Sequence, residues 1–87
     1  MNHSDYQIEL SMWDSVVIKL DRPALVMLMD DKNYANYLKG SKFRYYGGHT
    51  DQNTMRIPAP NSGHWHVIIK KSGSVGPIKH SIQIIRN

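Results

Sequence analysis

Ala24-Leu25-Val26-Met27-Leu28-Met29 is apolar at every position and is held between Pro23 and the acidic pair Asp30-Asp31. A strand with one wet face alternates apolar and polar residues, whereas a strand covered on both faces has no need to. A short buried helix would satisfy the same composition. Six residues between a proline and two aspartates are strand length, however, and the segment reads as a central strand covered on both sides.

The flanking segments alternate as half-buried strands should. Tyr6-Gln7-Ile8-Glu9-Leu10 places Tyr6, Ile8 and Leu10 on one face and Gln7 and Glu9 on the other. In Ser15–Leu20, Val16, Ile18 and Leu20 point inward while Val17 and Lys19 point out. The connection between them, Ser11 to Ser15, is expected to lay Trp13 over the core as a lid. Asp21-Arg22-Pro23 is a turn, because proline fixes its own φ and pushes Arg22 out of the helical region.

Past Met29 the period changes. Tyr34, Tyr37 and Leu38 recur at helical spacing, Asp30 or Asp31 can cap the start, and Gly40 stands where a left-handed residue ends a helix. Two turns of helix are predicted there. Lys42 to Tyr46 reads as a short strand ending in a turn or bulge at Gly47-Gly48, and His49 to Thr54 as a polar loop. Met55-Arg56-Ile57 is a short strand stopped by Pro58-Ala59-Pro60 and the turn Asn61-Ser62-Gly63. His64 to Lys70 is a clear strand with Trp65, Val67 and Ile69 on one face. Ser72 to Pro77 reads as a loose hairpin connection to a last strand, Ile78 to Arg86, with Ile78, His80, Ile82 and Ile84 inward. The expected fold is mainly β: a small antiparallel β-sandwich or partly open barrel of six to seven strands with one short helix. Residues 1–87 are read as a single domain.

Composition narrows the function. With no cysteine, neither a disulfide framework nor a thiolate zinc site can form, and a cytoplasmic setting is expected. The first residues lack the basic start and apolar run of a signal peptide, and no apolar stretch approaches the roughly 20 residues that span a bilayer, so no membrane partner is expected. Eleven basic against seven acidic residues give a formal charge of +4. The basic residues are dispersed, with only Lys70-Lys71 adjacent and Lys39, Lys42 and Arg44 loosely grouped. A solubilising surface is the preferred reading, and nucleic acid is an alternative partner. A chain this short buries only about 60–65% of the surface its unfolded form exposes. Self-association into a homo-oligomer would bury more.

Chemistry concentrates in two stretches. Arg44-Tyr45-Tyr46-Gly47-Gly48-His49 offers a planar fork of donors, two aromatic faces and glycines that admit a ligand to the backbone, a set suited to a ring or a phosphate. A β-turn with packing tyrosines explains the same residues equally well. In His64-Trp65-His66 the two imidazoles share a strand face about 6.5–7 Å apart. With His49 as a third ligand, His64 and His66 could hold a metal, as His-x-His pairs do in small metal-binding barrels, and the alternative function would be a metal-dependent enzyme or metal carrier. Two surface histidines flanking a core Trp65 is the preferred reading. His80 alternates with Ile78 and Ile82 and reads as a structural hydrogen-bonding group. There is no phosphate loop, dinucleotide fingerprint or nucleophile elbow, so no catalytic residue and no cofactor are assigned and the chain is read as a non-enzyme.

Arg44 to His49, followed by Ile57-Pro58-Ala59-Pro60 and Ser62-Gly63-His64-Trp65-His66-Val67, forms a set with the earlier Leu28-Met29-Asp30 and Asn33-Tyr34-Ala35-Asn36-Tyr37. With these motifs in this order, the sequence resembles the bacterial family called domain of unknown function 1883, over nearly the whole chain. The resemblance implies a small β-sandwich, found alone or fused to a Toll/interleukin-1 receptor-like domain, and by analogy a sensing or recognition role. It implies no chemistry. The residues matching its most recognisable motif are Arg44, Tyr45, Tyr46, Gly47, Gly48, His49, Ser62, Gly63, His64 and Trp65, which form the expected ligand-binding surface for a small molecule or protein partner.

Overall fold

In the computed structural model, residues 4–71 and 78–86 are described. Among them the chain forms β1 (Ser4–Leu10), β2 (Ser15–Leu20), β3 (Ala24–Asp30), α1 (Asp31–Lys39), β4 (Tyr46–Thr50), β5 (Thr54–Pro58), β6 (Gly63–Lys71) and β7 (His80–Ile85). The strands make two antiparallel sheets, one of order β1-β6-β3-β4 and one of order β5-β2-β7. The architecture is a small β-sandwich with one helix laid on the outer face of the larger sheet. No helix among the described residues is long and apolar enough to cross a membrane.

The apolar run at β3 explains this layering. Its even-numbered residues Ala24, Val26 and Leu28 enter the core between the sheets. There they meet Val16, Ile18 and Leu20 of β2 and Trp65, Val67 and Ile69 of β6. Its odd-numbered residues face the other way. Met27 and Met29, with Ile68 of β6, are buried beneath Tyr34 and Tyr37 of α1 and Phe43 just after it. An alternating strand could not have been roofed on both sides in this way.

The helix is fixed by its ends, since nine residues are too few to be stable alone. Asp30 is the N-cap: its carboxylate accepts from the Asn33 N–H at 2.8 Å. At the other end Gly40 adopts φ 77°, and the Gly40 and Ser41 amides donate to the Tyr37 and Asn36 carbonyls. This paired closure requires a left-handed residue, the conformation glycine reaches without strain. Apart from its own chain neighbours, nothing described lies within 4 Å of where a Gly40 side chain would begin. Gly40→Ala should therefore cost only the backbone strain, about 1 kcal/mol, and lower the melting temperature by about 4–8 °C in a thermal scan.

Four sequence expectations need correction. Trp13 is no lid: it is 75% exposed. The inward place in that turn belongs to Asp14, whose carboxylate accepts from the Ser11 N–H at 2.8 Å and from Arg86 Nη1 at 2.6 Å. The expected strand Lys42–Tyr46 forms only at its last residue, Tyr46, which opens β4, because the Arg44 N–H is drawn to the Asn33 side chain of α1 (2.7 Å) instead of to a neighbouring strand. Gly47, Gly48 and His49 lie inside β4 rather than in a turn and a loop. The expected hairpin connection Ser72–Pro77 lies outside the described residues. The strands on either side of it belong to different sheets, so β6 and β7 are not hairpin partners.

Candidate functional site

Two neighbouring features on the helical face of the larger sheet gather polar chemistry. The first is a cluster at the start of α1. Antiparallel pairing sets Gln7 of β1 and Met29 of β3 beside His66 of β6. Asp5, two residues along β1, reaches His66 diagonally across the same face. Its Oδ1 lies 3.0 Å from His66 Nδ1. On the far side of the ring, His66 Nε2 lies 2.7 Å from Oδ1 of Asp31, the first residue of α1. That same oxygen is 2.9 Å from His64 Nδ1. Tyr34, one turn further along the helix, stacks on His66 with ring centroids 4.2 Å apart and planes 15° from parallel.

Burial is graded across this cluster. The His66 side chain is 7% exposed, His64 34% and Asp31 65%. His66 is thus no surface histidine: the helix that begins at Asp31 roofs it, and its two ring nitrogens are satisfied by carboxylates as burial demands. The hydrogen bond from His66, joined by the charges of His64 and His66, holds Asp31 below the ordinary carboxylate range and outweighs its partial desolvation. Desolvation first, then the charge of Asp5 and a hydrogen bond to it, push the Tyr34 hydroxyl upward.

The second feature is a groove of about 780 Å³ lined by Lys32, Asn33, Gly40, Ser41, Lys42, Phe43 and Arg44. Its shape follows from the hydrogen bond between the Arg44 N–H and Asn33, which folds the segment after the helix back along the helix start. Phe43 anchors that segment edge-on against Tyr37, with centroids 5.1 Å apart. Among the described residues no ion pair engages Lys32, Lys42 or Arg44. Three cations and the Asn33 amide therefore share one concavity with no carboxylate among its described lining residues.

The sequence-derived site is divided among several places. Arg44 enters the groove. Tyr45 and Tyr46 diverge: Tyr45 leans towards Phe43 at 5.9 Å, and Tyr46 meets the buried Trp65 edge-on at 6.1 Å. That second contact does join the Arg44–His49 and Ser62–Trp65 stretches, although on the face opposite the groove. Trp65 is core, 4% exposed, and its Nε1 donates to the Asn61 carbonyl at 3.2 Å. Gly47 and Gly48 are strand residues of β4, Gly63 opens β6, and Ser62 is exposed just before it. His49 stands in register with Leu25, whose partner on β6 is Lys70. It is therefore four residues along from His66, about 13 Å by strand rise, and two strands away. Asp31, not His49, is the third member beside His64 and His66. His80 bonds through Nε2 to the Tyr6 hydroxyl at 2.6 Å, as a structural histidine does.

Sequence reasoning missed Asp5, Asp31, Tyr34 and Lys32. One signal was present. A helix needs one capping residue, and the doubled Asp30-Asp31 left one carboxylate without a role.

No curated protein and no solved structure matches the chain. One family does, along the whole sequence and therefore across the β6 histidines, the α1 start and the β4 glycines alike. With its model matching residues 1–87, the chain belongs to the family described as Domain of unknown function (DUF1883).

Proposed function

We propose that the chain is a non-catalytic binding module that takes a small anionic ligand, bearing phosphate or clustered carboxylates, in the groove between α1 and Arg44. The observation that carries this reading is the convergence of Lys32, Lys42 and Arg44 on one concave surface without an acidic counterpart. Cations so placed repel one another unless a negative group enters between them. Arg44 brings a planar fork suited to two oxygens, while Lys32 and Lys42 act as point charges. Phe43 and the backbone at Gly40 and Ser41 supply an apolar wall and close approach. Among the described lining residues Ser41 is the one hydroxyl, with no histidine or carboxylate to activate it, so the groove suits binding rather than turnover. A homo-oligomer and a cytoplasmic setting belong to the same proposal.

Titration of isotope-labelled protein with inorganic pyrophosphate and with citrate at low salt tests it. Amide shifts should appear at Asn33 and from Gly40 to Arg44. Arg44→Ala combined with Lys42→Ala should weaken binding at least about tenfold. Both are exposed, so folding stability should change by no more than about 0.5 kcal/mol for each. Shifts that are scattered over the surface, or affinity unchanged in the double variant, would refute the groove as the site. Tighter binding of a single-stranded RNA than of either anion, with a steep salt dependence, would replace the small ligand by nucleic acid.

A further inference from the structure

Beyond the groove, the geometry points to a second site, in which Asp31, His64 and His66 bind one divalent first-row transition metal ion of the zinc class. One donor atom from each residue lies within 4.8 Å of the other two. Both rings are turned towards a single point: Asp31 Oδ1 is 2.9 Å from His64 Nδ1 and 2.7 Å from His66 Nε2. Bonds of about 2.0–2.2 Å to zinc need these donors roughly 3.3 Å apart around a tetrahedral ion. Small rotations of the exposed Asp31 and the half-buried His64 side chains open that space while the buried His66 ring stays where it is.

What separates this cluster from two histidines and an aspartate that merely meet is the support behind it. A ligating histidine characteristically donates its other ring N–H to a carboxylate, which fixes the tautomer and raises the basicity of the ligating nitrogen. His66 has that arrangement: Nδ1 faces Asp5 Oδ1 at 3.0 Å, leaving Nε2 aimed at the site. Tyr34 stacked on one face of the ring holds its plane, and the His66 side chain is only 7% exposed. The front is open, with the Asp31 side chain 65% exposed. Three protein ligands with an open front leave a tetrahedral ion one position for water or a ligand. Two imidazoles and a carboxylate suit Zn²⁺, Co²⁺ or Ni²⁺ rather than Ca²⁺ or Mg²⁺, which prefer all-oxygen shells.

The test uses untagged full-length chain, stripped with a chelator and titrated with Zn²⁺ against a chromophoric competitor, while histidine ring nitrogens are followed by NMR. One equivalent should bind per chain, moving the His64 Nδ1 and His66 Nε2 resonances. His64→Ala and Asp31→Ala, both on the open side, should each lower affinity at least tenfold while circular dichroism remains that of the parent. Asp5→Asn should lower it about 10–100-fold, the range for loss of a supporting carboxylate. His49→Ala, His80→Ala, His3→Ala and the Lys42→Ala/Arg44→Ala pair should leave it unchanged. That last control separates this site from the anion groove. Zinc affinity no tighter than that of the His64→Ala variant would overturn the proposal and leave a purely hydrogen-bonded cluster. Loss of binding on replacing His3 or His49 would overturn it in favour of adventitious coordination.

Discussion

Gly47→Ala should strip β4 from the edge of its sheet. A Cβ at position 47 would lie 2.3 Å from the Val26 carbonyl oxygen and 3.2 Å from its carbon, both backbone atoms of the central strand. Those atoms cannot rotate away as a side chain would. Gly47 also adopts φ 120°, where an L-residue is strained by about 1–3 kcal/mol before any contact is counted. Strain and collision together set an expected loss of about 3 kcal/mol or more, against a total stability of roughly 4–13 kcal/mol for a chain of this length. The chain can relieve it by releasing Tyr46–Thr50 from β3. Urea denaturation should give the loss, and hydrogen exchange should show the β4 amides unprotected while β3 stays paired to β6. Gly48→Ala is the internal control. Its φ is 146° but nothing lies within 4 Å of the new methyl, so only the strain applies and the loss should be smaller by about 1–2 kcal/mol. Equal losses at the two positions would remove the close approach to Val26 from the explanation. A detached β4 also frees the far end of the segment carrying Lys42 and Arg44, so Gly47→Ala should weaken anion binding while Gly48→Ala should weaken it less.

The contrast between those two glycines shows what could be read from the chain and what could not. Hydrophobic period is a local property, and it disclosed β1, β2, β3, β6, β7 and the helix to within a few residues, because each buries a face whose spacing the backbone dictates. The all-apolar β3 even implied a cover on both sides. Glycine is ambiguous in the same reading. Gly47-Gly48 suits a turn equally well, and only the proximity of the Val26 carbonyl, 21 residues earlier, demands a strand residue without a side chain. Trp13 fails for a related reason: its size favours burial, but the tight turn has one inward position and Asp14 fills it with hydrogen bonds to Ser11 and Arg86. The site followed the same division. His64 and His66 were visible as a pair by strand period. Their partners were not, since Asp5 and Asp31 arrive from 61 and 35 residues away through sheet register and helix placement. His49, nearer in sequence to the pair than Asp31, is carried off by the β3–β4 register.

His66→Ala is expected to be the costliest change in that cluster, about 3–5 kcal/mol, although it removes a polar residue. Two losses combine. The first is packing: the ring is 7% exposed, stacks on Tyr34 at 4.2 Å, and fills the space between β6 and the start of α1. The second is charge. Asp5 has its side chain 20% exposed and keeps its carboxylate beside His66 Nδ1, so deletion takes one hydrogen-bond partner from a carboxylate largely removed from water and leaves it the Tyr34 hydroxyl. The Asp31 contact adds little, because a carboxylate 65% exposed is readily rehydrated. A double-mutant cycle separates the two losses. In an Asp5→Asn background the charge component disappears, and His66→Ala should cost about 1–3 kcal/mol less than in the parent. His64→Ala, which removes a half-buried ring paired with that exposed carboxylate, should stay below about 1 kcal/mol. The order of the three values in urea denaturation, with His66→Ala largest, its Asp5→Asn counterpart intermediate and His64→Ala smallest, is the measurable signature of a histidine held from both sides. Equal costs for His66→Ala with and without Asp5 would reduce the ring to a packing element. The Asp5 support on which the metal site relies would then contribute nothing measurable in the metal-free protein. A coupling of the expected size would mean that the folded chain holds Nε2 facing the opening before any ion arrives, so that binding requires movement only of His64 and Asp31.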